Sequence, residues 1–170
     1  MHLGTERLHI RPYRAEDLQD VLAIFSDPVV MAHCEAPYDR ARAEEVLRLF
    51  MDRGIAFAVV HKADRKVIGH ALFKQLPGEE DGIFEIGWIY HRAYWRQGYA
   101  FEAARALLDW GFANGVHKVI AHTTDPVRSL SLMRKLGMQQ EGVLRSHTKD
   151  LQGRWADLYI GGLVNPGETG

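Results

Sequence analysis

The stretch Gly87-Trp88-Ile89-Tyr90-His91-Arg92-Ala93-Tyr94-Trp95-Arg96-Gln97-Gly98-Tyr99-Ala100 runs from an apolar strand into a basic, glycine-bearing turn that opens directly into an amphipathic helix. A helix that starts from such a turn aims unpaired backbone N–H groups, and the positive end of its dipole, at whatever lies in front of it. An anion such as a pyrophosphate suits that position. Gly98 lets the chain approach the anion closely, small Ala100 keeps the first helical turn uncrowded, and Arg92 and Arg96 add positive charge. The glycine count excludes two common phosphate-binding loops. Neither a glycine followed by Lys-Ser/Thr nor a Gly-x-Gly-x-x-Gly run is present. An isolated Gly-x-Ala also fits an ordinary strand-to-helix turn, so the flanking sequence has to decide.

Upstream, Leu8-His9-Ile10-Arg11-Pro12 alternates as a short edge strand that Pro12 stops. Leu18, Val21, Leu22 and Phe25 recur at helical spacing, with Glu16 and Asp17 in the first turn, where the dipole favours them. Asp39 caps a second helix carrying Val46, Leu47, Leu49 and Phe50, which Gly54 ends. Strands over 55–61 and 66–74 read as a hairpin around Lys62-Ala63-Asp64-Arg65, and a third strand over 83–90 enters the basic turn. Downstream, Ala100, Ala103, Ala104, Leu107, Leu108 and Phe112 line one helical face, ended by Asn114-Gly115. A strand over 118–122 follows. Asp125-Pro126 then starts a helix over 127–136, and strands over 138–148 and 155–164 flank the turn at 150–153. The order β-α-α-β-β-β-α-β-α-β-β predicts a mixed α/β fold, a twisted sheet of about seven strands with helices on both faces.

A net formal charge of −1 argues against nucleic-acid binding through bulk electrostatics. No apolar run is long enough to span a bilayer and no signal segment opens the chain, so no membrane attachment and a cytoplasmic location are expected. Cys34, the single cysteine, has no partner for an internal disulfide, and no Cys/His spacing resembles a zinc site. No metal is expected.

Trp95-Arg96-Gln97-Gly98-Tyr99-Ala100 resembles the acyl-CoA-binding signature of the GNAT superfamily of N-acyltransferases, Gln/Arg-x-x-Gly-x-Gly/Ala. With Trp95 at its head it is similar to the branch of ribosomal-protein N-terminal acetyltransferases, the RimJ/RimL type. That branch reads Tyr-Trp-Gly-x-Gly-Tyr-Ala, so Arg96 replaces a glycine and is expected to keep ordinary backbone dihedrals. Ser129-Leu130-Ser131-Leu132-Met133-Arg134-Lys135-Leu136-Gly137-Met138, followed by Glu141-Gly142-Val143-Leu144-Arg145, is similar to a second family motif, and Gly153 to Tyr159 to a third. The element order is also the order of that family, the GNAT fold.

The resemblance implies that residues 1–165 form a single acyl-CoA N-acyltransferase domain, with 166–170 a disordered tail. It implies acetyl-CoA as acyl donor, the pantetheine arm lying along the backbone of Trp88, Ile89 and Tyr90. The pyrophosphate would rest on the amides of Arg96, Gln97, Gly98, Tyr99 and Ala100. The acceptor would be a primary amine. A protein or peptide N-terminal α-amine is favoured, a small amine (amino acid, polyamine or aminoglycoside) is the alternative, and a non-catalytic acyl-CoA-binding module is the reading outside enzymes. Acceptor residues are expected within 26–39 and 147–155, with Glu35, Tyr38 and Trp155 as candidates. Such folds often place their final strands at an interface, so pairing of two chains into a homodimer is a further expectation.

Acyl transfer to an amine requires the amine to lose a proton. Glu85, mid-strand in Ile83-Phe84-Glu85-Ile86-Gly87-Trp88, is the candidate base, because apolar surroundings raise a carboxylate's pKa toward the useful range. Several members of the family also carry a glutamate on this strand. The competing reading is that Glu85 merely pairs with a neighbouring Arg or His. Ser129 is the second catalytic candidate, binding or protonating the CoA sulfur, although a serine in a first helical turn serves equally as a helix-start residue. Met133 and Pro126 stand where the family carries a tyrosine acid and an asparagine, so those contacts are lacking. No His/Asp constellation surrounds Cys34, which argues against a cysteine nucleophile.

Overall fold

The computed structural model describes residues 1–167, which form eight strands and five helices. In chain order they are β1 (Leu3–Gly4), β2 (Leu8–Pro12), α1 (Leu18–Phe25), α2 (Pro28–Met31), α3 (Arg40–Arg53), β3 (Ala56–His61), β4 (Lys66–Gln75), β5 (Ile83–Tyr90), α4 (Tyr99–Ala113), β6 (Lys118–Thr123), α5 (Arg128–Lys135), β7 (Gln139–Lys149) and β8 (Trp155–Val164). The strands make one sheet in the order β1-β2-β3-β4-β5-β6-β8-β7, antiparallel at every contact except the parallel pair β5–β6. The expected mixed fold is therefore borne out, with β1 and α2 added. Two residues of β1 are too few to show alternation. The one-turn α2 was nonetheless written in Asp27-Pro28: the Asp27 carboxylate accepts from Val29 N at 2.8 Å and proline occupies the first helical position.

Helices cover both faces. On one, α4 and α5 bury Ala103, Ala104, Leu107, Leu108, Leu130 and Met133 against Phe57, Val59, Phe73 and Ile86 of the sheet. On the other, α1, α2 and α3 bury Val21, Ile24, Phe25, Met31, Val46 and Leu47 against Ala56, Ala58 and Val67. Gly111 lets α4 approach the sheet, since a Cβ there would lie 2.6 Å from Phe73 Cζ. Asp39 caps α3 through Arg42 N at 2.8 Å, and Gly54 ends it in the left-handed conformation at φ 61°. Asp125 caps α5 by accepting from Val127 N at 3.0 Å and Arg128 N at 2.9 Å. Against burial, which opposes it, these bonds and the Arg128 guanidinium hold its carboxyl below the usual range.

His70 sits mid-strand in β4 inside an aromatic box of Tyr13, Phe25 and Phe50, only 7% exposed. Its side-chain hydrogen-bond partner is the Tyr13 hydroxyl, 3.1 Å from Nδ1. Burial lowers its pKa from 6.5 to about 4.

The feature that positions the site is where pairing stops. β5 and β6 are in register only as Ile83↔Lys118, Phe84↔Val119 and Glu85↔Ile120. Beyond that point β5 follows β4 as far as Tyr90, and β6 follows β8 as far as Thr123. The facing edges of 86–90 and 121–123 part, and the opening leads to the N-terminus of α4.

At the other end of the chain, Pro166 and Gly167 form a turn in which Gly167 N donates to Asn165 Oδ1 at 3.0 Å. The remainder of the expected tail, 168–170, lies outside the described residues. Among those residues no helix is long and apolar enough to cross a membrane, and no cluster of His, Cys, Asp and Glu could hold a metal ion.

Candidate active site

Gly98 precedes α4 at φ 84° and ψ 1°, the left-handed conformation that glycine adopts without a steric penalty. Its carbonyl accepts the first helical bond, from Glu102 N at 3.0 Å, so the amides of Tyr99, Ala100 and Phe101 are first-turn donors with no carbonyl behind them. An anion is the partner this geometry lacks. The turn is braced by side chains from elsewhere. Arg7 donates through Nη1 to Gln97 O at 2.9 Å, lies 4.3 Å over the Tyr99 ring, and is itself held by Glu102 at 2.7 Å. Glu102 further accepts from Thr5 Oγ1 at 2.6 Å and Arg7 N at 2.8 Å. Tyr99 is gripped at its other end: its hydroxyl lies 3.1 Å from His61 Nε2, whose Nδ1 lies 2.9 Å from Asp64.

Two arginines depart from expectation. Arg96 has φ 61°, so its backbone is left-handed and not ordinary; the turn keeps the geometry of the glycine that Arg96 replaces. Arg92 turns away to Asp27, at 3.2 Å. The cation that does reach the lead of the turn is Arg128, 4.5 Å over the Trp95 ring. Trp95 in turn donates Nε1 to Tyr90 O at 2.7 Å, so that carbonyl of the expected pantetheine-binding backbone already has one donor. The Gln97 side chain folds back onto Ala93 O at 2.9 Å, leaving its backbone to the turn.

Glu85 is the last residue of β5 that pairs with β6, at the throat of the opening. The expectation that its pKa is raised is overturned. Its carboxylate lies 3.6 Å from His122 Nδ1 and 3.3 Å from Lys74 Nζ. The His122 ring, and behind it Lys74, hold the carboxyl below the usual range against the opposing effect of burial. A carboxylate so paired is ionised at neutral pH but is a weak base. Ser129, in the first turn of α5, accepts from Trp88 Nε1 at 3.4 Å, which brings two of the candidates together beside the opening. Met133 is buried in the core and takes no part.

The acceptor candidates divide. Tyr38 donates its hydroxyl to Glu35 at 2.6 Å and stacks on Phe25 at 5.1 Å, and Arg42 lies 3.7 Å from Glu35. Burial and the Glu35 carboxylate both push the Tyr38 phenol up. The loop carrying Glu35 is tied to the end of β6, where Thr124 Oγ1 donates to His33 O at 3.3 Å. Trp155 instead stands 64% exposed at the start of β8, with Lys149 Nζ 5.0 Å over its ring.

Arg7, Glu102 and His122 escaped the sequence reading. Arg7 and Glu102 are far apart in sequence and carry no motif. His122 was findable in principle, because parallel pairing of 83–85 with 118–120 puts it on the same face as Glu85.

Residues 7–139 match the acetyltransferase (GNAT) domain family. The chain is 33% identical to the uncharacterized N-acetyltransferase YnaD of Bacillus subtilis over 94% of its own length and 95% of that protein's. A GNAT-family acetyltransferase from Bacillus anthracis superposes with a TM-score of 0.89 at 28% identity, covering 97% of this chain and 99% of the other. Two solved folds of lower identity carry ligands. RimL, the ribosomal L7/L12 α-N-protein acetyltransferase, is in complex with coenzyme A (14% identity, TM-score 0.83, 96% and 98% covered). Spermidine N-acetyltransferase from Vibrio cholerae is in complex with CoA and spermine (20% identity, TM-score 0.81, 95% and 97% covered). The chain belongs to the GNAT family and is an acyltransferase of the N-acetyltransferase type.

Proposed function

We propose that this enzyme carries an acetyl group directly from acetyl-CoA to a primary amine, with the N-terminal α-amine of a protein or peptide as the favoured acceptor. The observation that carries the reading is the opening between β5 and β6 that ends on the free amides of α4. A pantetheine arm laid along Trp88, Ile89 and Tyr90 takes up the backbone groups that β6 leaves, as an added strand does. Its pyrophosphate then meets the amides from Arg96 to Ala100. Glycine keeps the turn open there, because a Cβ on Gly98 would touch Arg7 Nη2 at 3.4 Å. The thioester carbonyl is polarised by backbone donors of the opening, and Ser129 with Trp88 lies to the side of the leaving sulfur.

Glu35 and Tyr38 border the acceptor side and favour a cationic amine over an anion. The likeness to RimL supports a protein α-amine; the likeness to a spermidine acetyltransferase supports a small polyamine, and the two compete for the same opening. The test is release of free CoA thiol across N-terminal peptides, amino acids, polyamines and aminoglycosides. Turnover confined to peptides is expected. Turnover of spermidine alone would reassign the acceptor, and acetyl-CoA binding without turnover of any amine would overturn the catalytic reading.

A further inference from the structure

The amine that enters this site arrives as an ammonium ion, and Glu85, the carboxylate nearest the throat, is too well stabilised to deprotonate it. We infer that His122 is the general base of the reaction, with Glu85 as the residue that positions it. The inference rests on the acetyltransferase reading above.

His122 lies two residues beyond Ile120, the last residue of β6 that pairs with β5, so its backbone borders the opening. Alternation puts its side chain on the face of the sheet shared by Glu85, Lys74 and His70, the face covered by α1 to α3. Trp88 lies on the other face, against α5 and Ser129. A thioester held in the plane of the sheet thus has His122 on one side and the Ser129 hydroxyl on the other. The loop that carries Glu35 and Tyr38 docks on Thr124, two residues past His122, so the acceptor side and the imidazole share one end of β6.

His122 Nδ1 faces the Glu85 carboxylate at 3.6 Å, ion-pair range that closes to a hydrogen bond with a small shift. A proton on Nδ1 directed at Glu85 leaves the Nε2 lone pair as the acceptor. Nε2 makes no hydrogen bond among the described residues, and the side chain is about a third exposed. The charged groups that face the pair are Lys74 of β4, on Glu85, and the Lys118–Glu141 bridge at 2.8 Å, which joins β6 to β7 further down the same face. On β8 the residue opposite His122 is the apolar Ile160. Among the described residues Glu85 is therefore the one anion that touches the ring, and it fixes the orientation of the imidazole.

The proton count closes. His122 Nε2 takes one proton from the ammonium, and the freed amine attacks the acetyl carbonyl carbon to form the N–C bond. The tetrahedral adduct collapses with breakage of the C–S bond. The second amine proton passes to the departing CoA sulfur, and imidazolium returns its proton to water.

The test uses the purified full chain with acetyl-CoA and whichever amine of the panel above is acetylated fastest. In His122→Ala, kcat should fall about a hundredfold while the KM for acetyl-CoA is unchanged, and the acidic limb of the kcat pH profile should disappear. Added imidazole should restore turnover in proportion to its neutral form, a rescue that a merely structural role cannot give. Glu85→Gln should keep the limb and lower kcat at an unchanged KM for acetyl-CoA, because the imidazole has lost the carboxylate that orients it. A limb that survives in His122→Ala overturns the assignment, and a limb lost only in Glu85→Gln returns the base to Glu85. A wild-type protein silent toward every amine overturns the acetyltransferase reading itself, which separates the two failures.

Discussion

Lowering the pH tests the packing of the acceptor-side core through one residue. His70 is neutral in its aromatic box because burial lowers its pKa from 6.5 to about 4. The unfolded chain takes up this proton first. Stability is therefore complete above pH 6.5, is lost as the pH falls, and the loss is finished near pH 4. A gap of about 2.5 pKa units at about 1.4 kcal/mol each amounts to roughly 3 kcal/mol, a large share of the 5–15 kcal/mol typical of a domain. Carboxylates such as Glu102 and Asp125, held below their usual range, add their own acid sensitivity, so the His70 share has to be isolated by substitution. His70→Leu alone would strand the Tyr13 hydroxyl in the core; pairing it with Tyr13→Phe removes both partners of the 3.1 Å bond. At pH 7 the double variant should unfold in urea within about 1 kcal/mol of wild type. Between pH 7 and pH 4 wild type should lose about 3 kcal/mol more than the variant. Parallel curves for the two proteins across that range would refute the claim that a buried neutral imidazole is being charged.

Gly98→Glu sets a carboxylate against the first-turn amides and forces a side chain into φ 84°, so acetyl-CoA binding measured by calorimetry should be lost while the thermal midpoint falls by only a few degrees; retained affinity would remove the pyrophosphate from this turn. Arg96→Gly should raise unfolding stability by about 0.5–1 kcal/mol, the left-handed cost less the entropy of an added glycine. A destabilised variant would mean that the arginine side chain more than offsets its backbone strain. Gly69→Ala would put a methyl carbon 2.4 Å from Tyr90 Cε1, displacing a ring that packs under the end of β5. It should cost about 1–3 kcal/mol in urea melts, and a neutral effect would show that β5 yields there.

The helix α4 and its turn were readable because Gly98, the alanine stripe and Asn114-Gly115 are local signals that the fold leaves unaltered. The element order was readable for the same reason. What the sequence could not supply was pairing at a distance. That Glu85 would meet Lys74 and His122 depends on β5 lying between an antiparallel and a parallel neighbour, and the register of neither is encoded locally. The apolar residues flanking Glu85 suggested a raised pKa because side chains on adjacent strands are invisible to a reading along the chain. Arg96 failed for a different reason: a positive φ is imposed by the turn as a whole, and arginine gives no local sign of accepting it.

The seam between β5 and β6 also bears on how the molecule opens. Two antiparallel blocks of the sheet, β1 to β5 and β6-β8-β7, meet across three residue pairs, and the chain connects them through α4. The β4–β5 ladder inside the first block runs to seven pairs, whereas the seam has three. Amide hydrogen exchange should therefore resolve two protection classes that unfold as separate cooperative units, with the 83–85 and 118–120 amides exchanging at the rate of the weaker one. A donor arm lodged between the strands would act as a rivet, and the two classes would merge into one.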